Sequence, residues 1–97
     1  MSDTSKIILE QLSKVLNKFF DFNIEINGYA DNIGSKQYND TLSLKRAQSI
    51  ESFLIGKNVK PGRIQTRGFG AANPMASNLT DEGRKRNRRV MIRMYKR

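Results

Sequence analysis

The sequence has 97 residues, and its 37% hydrophobic content is enough for one modest core, so we predict a single domain spanning residues 1–97. It contains no cysteine and no histidine, which excludes disulfide bridges, thiol nucleophiles, zinc-finger motifs and imidazole acid/base catalysis. The 18 basic and 9 acidic residues give a formal net charge of +9, which favours an acidic or polyanionic partner and keeps nucleic acid among the interpretations.

The N-terminal residues are polar, and no later apolar run approaches the roughly 20 residues that a membrane-spanning helix requires. We therefore expect neither an export signal nor a membrane anchor within this sequence. Two interpretations follow: either the protein is cytoplasmic, or this is a domain whose targeting segment lies elsewhere.

The first predicted element is an amphipathic helix. Its N-cap is expected at Asp3, Thr4 or Ser5, and its apolar residues recur at helical spacing: Ile8, Leu12, Val15, Leu16, Phe19 and Phe20. We interpret this stripe as core, with a groove for a partner helix as the less favoured alternative.

A strand and a second helix follow. Phe22, Ile24 and Ile26 alternate with polar residues, as in a half-buried strand, and this pattern stops at Gly28. After a turn, Ser35 is placed to cap a long helix that ends at Gly56.

The C-terminal third contains two further predicted strands. One runs from Ile64 to Arg67, and the other contains Val90, Ile92 and Met94 in alternation; we expect the two to pair with each other. The long connection between them begins with a glycine-containing turn, Gly68-Phe69-Gly70, and includes a short helix capped by Thr80. The elements predict an α+β fold in which two main helices pack on one face of a small mixed sheet.

The second helix carries polar residues on its buried side. Its C-terminal half is conventional core, but Asn39, Ser43 and Arg46 occupy positions where apolar residues are expected. A buried guanidinium needs an anion, and the nearest candidate is Asp31. An internal Asp31–Arg46 salt bridge is the simpler interpretation. The alternative is a cleft in which Asp31 binds the ammonium and Arg46 the carboxylate of an amino-acid-like zwitterion, with Asn39 orienting it.

The order and spacing of these residues form a recognisable motif. Gly28-Tyr29-Ala30-Asp31 is followed after ten residues by Leu42-Ser43 and, two residues later, by Arg46-Ala47. This resembles the peptidoglycan-association motif of the outer-membrane-protein-A-like (OmpA-like) family, which includes OmpA, the lipoprotein Pal and the flagellar stator protein MotB. The resemblance extends over nearly all of the chain after the first helix, through Gly68, Gly70, Pro74, Asn78, Thr80, Gly83-Arg84 and Asn87-Arg88-Arg89-Val90.

The resemblance implies non-covalent binding of the diaminopimelate residue of the peptidoglycan peptide stem, in the periplasm or cell envelope, as a domain of a larger exported or anchored protein. It assigns the ligand ammonium to Asp31 and the ligand carboxylate to Arg46. Asn39 is implied as a supporting polar contact, Leu42 as part of the pocket wall and Arg89 as an arginine lining the same pocket. No catalytic residue, cofactor or metal is implied, so we do not expect an enzyme.

Two further expectations follow from the resemblance. The family's βαβαββ fold usually opens with a strand before the first helix, but the residues before Ile7 are too few and too polar to supply a good one. The sheet would then keep an exposed edge, which makes a homodimer through that edge a hypothesis.

The main rival function is a basic module that binds nucleic acid or anionic surfaces through the C-terminal arginines. A wall hydrolase is disfavoured, because the acidic residues are few and dispersed.

Overall fold

The computed structural model describes residues 2–97 and contains three helices and three strands; Met1 lies outside the described residues. In chain order the elements are α1 (Asp3–Lys18), β1 (Phe22–Gly28), α2 (Lys36–Gly56), a 3-10 turn (Pro61–Arg63), β2 (Ile64–Gly68), α3 (Asp81–Asn87) and β3 (Val90–Lys96). The α+β prediction is confirmed, and the described residues contain no strand before α1. No helix within residues 2–97 is long and apolar enough to cross a membrane.

Hydroxyl side chains cap all three helices. Ser35 Oγ accepts a hydrogen bond from Tyr38 N–H at 3.1 Å, and Thr80 Oγ1 accepts one from Gly83 N–H at 3.0 Å, as predicted. The first helix begins earlier than predicted, because Ser2 is its N-cap and accepts from Ser5 N–H at 3.2 Å. Asp3, Thr4 and Ser5 therefore form the first turn. There the negative charge of Asp3 interacts favourably with the positive end of the helix dipole.

The sheet has the order β2-β1-β3, with β1 parallel to β2 and antiparallel to β3. The predicted pairing of the last two strands with each other is therefore wrong, since each of them flanks β1. β1 is the strand whose apolar residues, Ile24 and Ile26, are completely buried, so it occupies the centre. Helix α2 supplies the crossover that a parallel β1–β2 connection requires.

The core lies between the helices and one face of the sheet. Six buried residues form it: Leu16, Ile24, Ile26, Ala47, Leu54 and Val59. Only part of the predicted α1 stripe belongs to this core, because Val15, Phe19 and Phe20 remain 38%, 47% and 69% exposed. Helix α1 thus packs along a narrow line and leaves a broad apolar side uncovered.

Glycines let α2 lie directly on the ends of two strands. A Cβ at Gly28 would collide with the backbone carbonyl of Ser43, and one at Gly68 would lie 2.6 Å from the backbone nitrogen of Leu44. Ser43 adds a polar link, because its hydroxyl accepts a hydrogen bond from Gly70 N–H at 2.9 Å. The N-terminal half of α2 is therefore held against the ends of β1 and β2 and the turn that follows β2.

We expect Gly28→Ala to lower the free energy of unfolding by about 2–3 kcal/mol, since the new methyl group must displace the α2 backbone. The matched control is Gly56→Ala in the same fold, where an added Cβ meets nothing within 4 Å. That variant should be neutral or more stable by roughly 0.5 kcal/mol. Urea denaturation followed by circular dichroism measures both changes. Equal effects of the two substitutions would show that α2 does not depend on the close approach.

Candidate functional site

Asp31 lies three residues beyond β1 and is buried, with 7% of its surface exposed. Its Oδ1 accepts a hydrogen bond from Ile33 N–H at 3.0 Å, and its Oδ2 accepts one from Arg88 Nη1 at 2.6 Å. The carboxylate therefore pairs with an arginine from the end of the chain. The interpretation of an internal Asp31–Arg46 salt bridge is wrong, because Arg88 holds the place proposed for Arg46.

The surroundings of Asp31 favour its ionised form. Burial by itself would raise the pKa of the carboxyl group, but the hydrogen bonds from Ile33 N–H and from the Arg88 guanidinium, with the positive charges of Arg88 and Arg84, outweigh it. The pKa of Asp31 therefore lies below its ordinary value. At neutral pH the site presents a carboxylate.

Asp31 opens onto a cleft of about 210 Å³, a volume suited to an amino-acid head group. Four of the five residues predicted from the sequence line it: Asp31, Asn39, Leu42 and Arg46. Ala30, Ile33, Tyr38 and Arg88 complete the wall. The helical spacing of positions 39, 42 and 46 explains why three of these side chains share one side of α2.

Arg46, which lines this cleft, keeps one unused donor. Its Nη1 atom is shielded from solvent and has no hydrogen-bond partner among the described residues. A buried donor without a partner costs about 1–3 kcal/mol, and more when it belongs to a charged group. The Arg46 guanidinium therefore has capacity for one more hydrogen bond.

Arg89 lies outside this cleft. Its guanidinium stands over the ring of Tyr29 at 4.0 Å, Tyr29 stacks on Phe69 at 5.3 Å, and Arg89 Nη2 donates to the carbonyl of Asn73 at 2.9 Å. It lines a neighbouring depression instead. Its predicted ligand contact stays a prediction, and the geometry puts the preceding arginine, Arg88, in the cleft.

Sequence reasoning missed Arg88 because two arginines stand side by side. Arg88 is the C-cap of α3, with φ −79° and ψ 84°, so the chain leaves the helix at this residue. Which of the two arginines then faces Asp31 depends on that exit geometry and on the register of β3 with β1, in which Val90 pairs with Gly28. The motif marks the pair of arginines but not the direction of each side chain.

The connection between β2 and α3 is pinned by Asn87, which is completely buried. Its Oδ1 accepts hydrogen bonds from Met75 N–H and Ala76 N–H, both at 2.9 Å, and its Nδ2 donates to Ala76 O at 3.0 Å and Asn78 Oδ1 at 2.8 Å. This amide therefore uses its full bonding capacity to hold one loop. The loop in turn positions Arg88 and Arg89.

A larger cavity of about 490 Å³ lies at the other end of the sheet, near the residues that precede β1 and β2 and those that follow β3. Its most buried member, Arg63, donates to the backbone carbonyls of Leu16, Phe19 and Phe22 at 2.6–3.1 Å. Burial lowers the pKa of this guanidinium, and Arg97 lowers it further. Because Arg63 is fully engaged with the end of α1, we interpret this cavity as structural. Residues 2–97 contain no cluster of three metal-ligating side chains.

The fold and site define a small α+β domain with a polar cleft, and comparison with known proteins identifies its family. The chain belongs to the OmpA family, whose model matches residues 1–88. It is 44% identical over 85 residues to the peptidoglycan-binding protein ArfA of Mycobacterium tuberculosis, which is 88% of this chain and 26% of that protein. It is 52% identical over 65 residues to outer membrane protein A of Bordetella avium, which is 67% of this chain and 34% of that protein. The chain thus spans about a quarter to a third of these relatives.

Two solved structures share the fold. The peptidoglycan-associated lipoprotein from Burkholderia pseudomallei has a TM-score of 0.94 and 24% identity, with 98% of this chain and 80% of that chain covered. The C-terminal domain of Helicobacter pylori MotB has a TM-score of 0.87 and 24% identity, with 100% and 76% covered. At this identity the likeness concerns the arrangement of helices and strands.

We expect Asp31→Asn to destabilise the protein at pH 7 by about 1–3 kcal/mol, the contribution of charged hydrogen bonds, and by less at pH 3. Folding lowers the pKa of Asp31, so the stability that its carboxylate contributes is present above the unfolded-state pKa of about 4 and is lost as the pH falls through the folded-state pKa. Urea denaturation at pH 7, 5 and 3 measures the difference between the variant and the wild type. Asp21→Asn, at an exposed carboxylate, is the control. A difference that stays constant with pH would contradict the assignment.

Proposed function

We propose that this chain binds the peptide stem of peptidoglycan without covalent chemistry and so tethers the envelope protein that carries it to the cell wall. Asp31 and Arg46 would hold a diaminopimelate-type zwitterion between them. The relatives named as peptidoglycan-binding protein and outer membrane protein support the wall as partner and the periplasm or envelope as location. No reaction is assigned, since the cleft serves recognition.

The observation that carries the proposal is the unpartnered Nη1 of Arg46 beside a carboxylate that is already paired. If Asp31 neutralised Arg46, the cleft would be a closed salt bridge. Because Asp31 pairs with Arg88 instead, Arg46 is left for a ligand carboxylate. A planar guanidinium binds a carboxylate through two parallel hydrogen bonds, which gives the site its selectivity for that group.

Asp31 retains capacity for a ligand ammonium. Each carboxylate oxygen offers about two acceptor positions, and each oxygen of Asp31 uses one, towards Ile33 N–H and Arg88. An ammonium with three donors therefore reaches the free positions without breaking either bond. Asn39, which is buried and carries both a donor and an acceptor, would fix the ligand's orientation, and Leu42 would contact its methylene chain.

The rival function as a basic binding surface is less well supported. Four of the eight C-terminal cations are paired with carboxylates: Arg84 with Asp81, Arg88 with Asp31, Arg93 with Glu25 and Lys96 with Asp21. Among residues 2–97, Lys85, Arg86, Arg89 and Arg97 have no carboxylate partner, which is a modest electrostatic footprint for a nucleic acid. We therefore expect no nucleic-acid partner.

We expect affinity for a single stem to be modest, because a few polar contacts to a small group are partly offset by the ligand's lost freedom. The wall repeats the stem many times, so a protein anchored in the envelope gains avidity from it. Such a protein stays attached to the wall through many stems at once, although each single contact dissociates and re-forms.

Co-sedimentation with insoluble peptidoglycan sacculi tests the proposal. We expect the wild type to pellet at moderate salt, and Arg46→Gln and Asp31→Asn to lose at least about tenfold in affinity, since each removes a charge-assisted contact. The controls are Lys45→Gln, the exposed neighbour on α2, and Asp21→Asn at the far end of the sheet; both should pellet like the wild type. Circular dichroism confirms that each variant is folded.

Equal binding by Arg46→Gln and Lys45→Gln, or binding that disappears with salt in all variants alike, would contradict the zwitterion clamp. Such a result would favour the basic-surface rival, because non-specific attraction by cations weakens steeply with salt. Retained binding at high salt by the wild type and both controls would support the clamp.

We also propose a homodimer through the outer edge of β3. Tyr29 N–H donates to Arg89 O and Arg97 N–H donates to Asp21 O, both at 2.8 Å, so the odd-numbered residues of β3 bond to β1. The even-numbered residues then direct their backbone groups outwards: Val90, Ile92, Met94 and Lys96. A strand from a second copy would use these groups.

The side chains beside this edge favour an apolar contact. Ile92 and Met94 share the helix-facing side of the sheet with Ile26 and Ile24, yet remain 39% and 41% exposed. Ile92 also lines a cavity of about 320 Å³ together with Ile8, Leu9, Ile50 and Val90. Antiparallel self-pairing would place the two copies of Lys96 at opposite ends of the contact, which separates these like charges.

Multi-angle light scattering over a concentration series tests the dimer. We expect a rise towards twice the monomer mass in the wild type and a monomer in Ile92→Lys, because the new ammonium would enter the apolar contact. Met91 lies one residue away on the opposite face of the sheet, so the Met91→Lys variant should still dimerise. A monomeric wild type at the highest concentration, in high salt that screens the net charge, would contradict the proposal.

A further inference from the structure

We propose that the turn between α1 and β1 is a docking surface for a bilayer that contains anionic lipids. The surface consists of the adjacent rings of Phe19 and Phe20 and of the cations around them, Lys18, Lys60 and Arg97; we call it the Phe20 patch. It borders the structural cavity at the far end of the sheet, which is lined in part by Phe20, Lys60 and Arg97. No residue of the zwitterion cleft belongs to it.

The exposure of the two rings is the first argument. Phe20 is 69% exposed and Phe19 is 47% exposed, and neither belongs to the core. Single exposed apolar side chains are common on protein surfaces, but neighbouring ones rimmed by charged groups mark an interaction site. A phenyl ring has no group that hydrogen-bonds to water, so its transfer into an apolar phase is favourable.

The backbone that carries the rings is the second argument, because two arginines fasten it. Arg63 donates to Phe19 O at 2.9 Å and to the carbonyl groups of Leu16 and Phe22, and Arg97 donates to Phe20 O. Free carbonyl groups at the end of a helix carry partial negative charge and would repel an anionic surface. Here they are bonded to guanidinium groups. The turn is therefore ordered in advance, and docking costs little further conformational freedom.

Charge is the third argument. Lys18 Nζ lies 5.7 Å from the centre of the Phe19 ring. Asp21 is the only acidic residue of the turn, and it is paired with Lys96 at 3.7 Å. Among residues 2–97, none of the three patch cations forms a salt bridge. Uncompensated cations beside exposed rings fit an anionic bilayer, whose headgroup phosphates lie directly above its acyl chains.

A single-stranded nucleic acid also binds cations and aromatic rings, but it fits this surface less well. Such a ligand requires a groove that follows its backbone and rings on which successive bases stack. The patch has two rings at one exposed turn, and this arrangement suits insertion into a planar fluid surface.

The patch and the zwitterion cleft lie at opposite ends of the sheet. β1 begins at Phe22, next to the patch, and ends at Gly28, three residues before Asp31. A strand of seven residues spans about 20 Å. A domain docked through the patch would therefore hold its cleft away from the membrane and towards the wall. This consequence rests on the proposed function, whereas the docking itself does not.

Sedimentation with lipid vesicles tests the docking. The anionic vesicles contain phosphatidylglycerol and phosphatidylethanolamine, and phosphatidylcholine vesicles are the neutral comparison. We expect the wild type to bind the anionic vesicles only. Phe20→Ser should weaken this binding at least about tenfold, because an inserted ring is lost. Lys60→Gln should weaken it about fivefold, the usual effect of one cation near an anionic surface.

The matched controls are Leu79→Ser and Lys85→Gln, which remove the same kinds of group from another surface. Leu79 is 91% exposed, Lys85 is exposed, and both lie outside the patch. Both variants should bind vesicles like the wild type, although Lys85→Gln lowers the net charge as much as Lys60→Gln does. Circular dichroism confirms that each variant is folded.

Phe20→Trp gives a second readout, because the chain has no tryptophan of its own. The fluorescence of this variant should shift to shorter wavelength with anionic vesicles, since its indole enters apolar surroundings. The fluorescence of Leu79→Trp should not shift.

Equal binding by Phe20→Ser and Leu79→Ser, equal effects of Lys60→Gln and Lys85→Gln, or unshifted fluorescence of Phe20→Trp would overturn the proposal. An equal shift with a single-stranded oligonucleotide would overturn it in favour of nucleic acid. Loss of self-association in Phe20→Ser, in the absence of vesicle binding by the wild type, would assign the patch to a second copy instead.

Sedimentation with sacculi separates the patch from the proposed function. Phe20→Ser should bind sacculi like the wild type, and Arg46→Gln should bind anionic vesicles like the wild type. Failure of the zwitterion clamp would thus leave vesicle binding intact, and failure of the patch would leave wall binding intact.

Discussion

The close approach of α2 to the ends of β1 and β2 is the constraint on which the rest of the molecule depends. Gly28 and Gly68 have no Cβ at the two points where the helix backbone lies on the strands, and Ser43 fastens the helix to the following turn. This contact turns the N-terminal half of α2 towards the segment that leaves β1. Asn39 and Arg46 therefore face Asp31, and the site is a consequence of how the helix crosses the sheet.

The same region shows a division between stability and function. A fold optimised only for stability would pair Arg46 or replace it, because buried unsatisfied donors are costly. Here the donor is retained at a cleft whose only carboxylate is paired with Arg88. Other buried polar side chains are fully bonded: Arg63 bonds to three carbonyl groups, and Asn87 uses all its positions to hold a loop. Buried atoms without a partner also occur on the sheet, at Asn23, Asn27 and Thr66, so Arg46 differs from these by its charge and by its place in the wall of a cleft.

Part of the apolar surface of the three-stranded sheet remains exposed to solvent. β3 has one unpaired edge, and α1 covers the helix-facing side along Leu9, Leu12 and Leu16, while Ile92, Met94 and Phe19 stay partly exposed. Similar structures, such as the Burkholderia pseudomallei lipoprotein, are longer than this chain and share its arrangement closely. The Asp31 cleft and this apolar edge have no lining residue in common.

Local sequence determined the caps at Ser35 and Thr80, the alternation of β1 and the common face of Asn39, Leu42 and Arg46, because each depends on hydrogen bonds or periodicities within a few residues. Only the tertiary structure decided strand order, the exposure of Phe19 and Phe20, and the choice of Arg88 over Arg46 as the partner of Asp31. These depend on which distant segments meet. The Asp31–Arg88 contact joins residues 57 positions apart, and its geometry follows from strand register and helix exit, which no local pattern encodes.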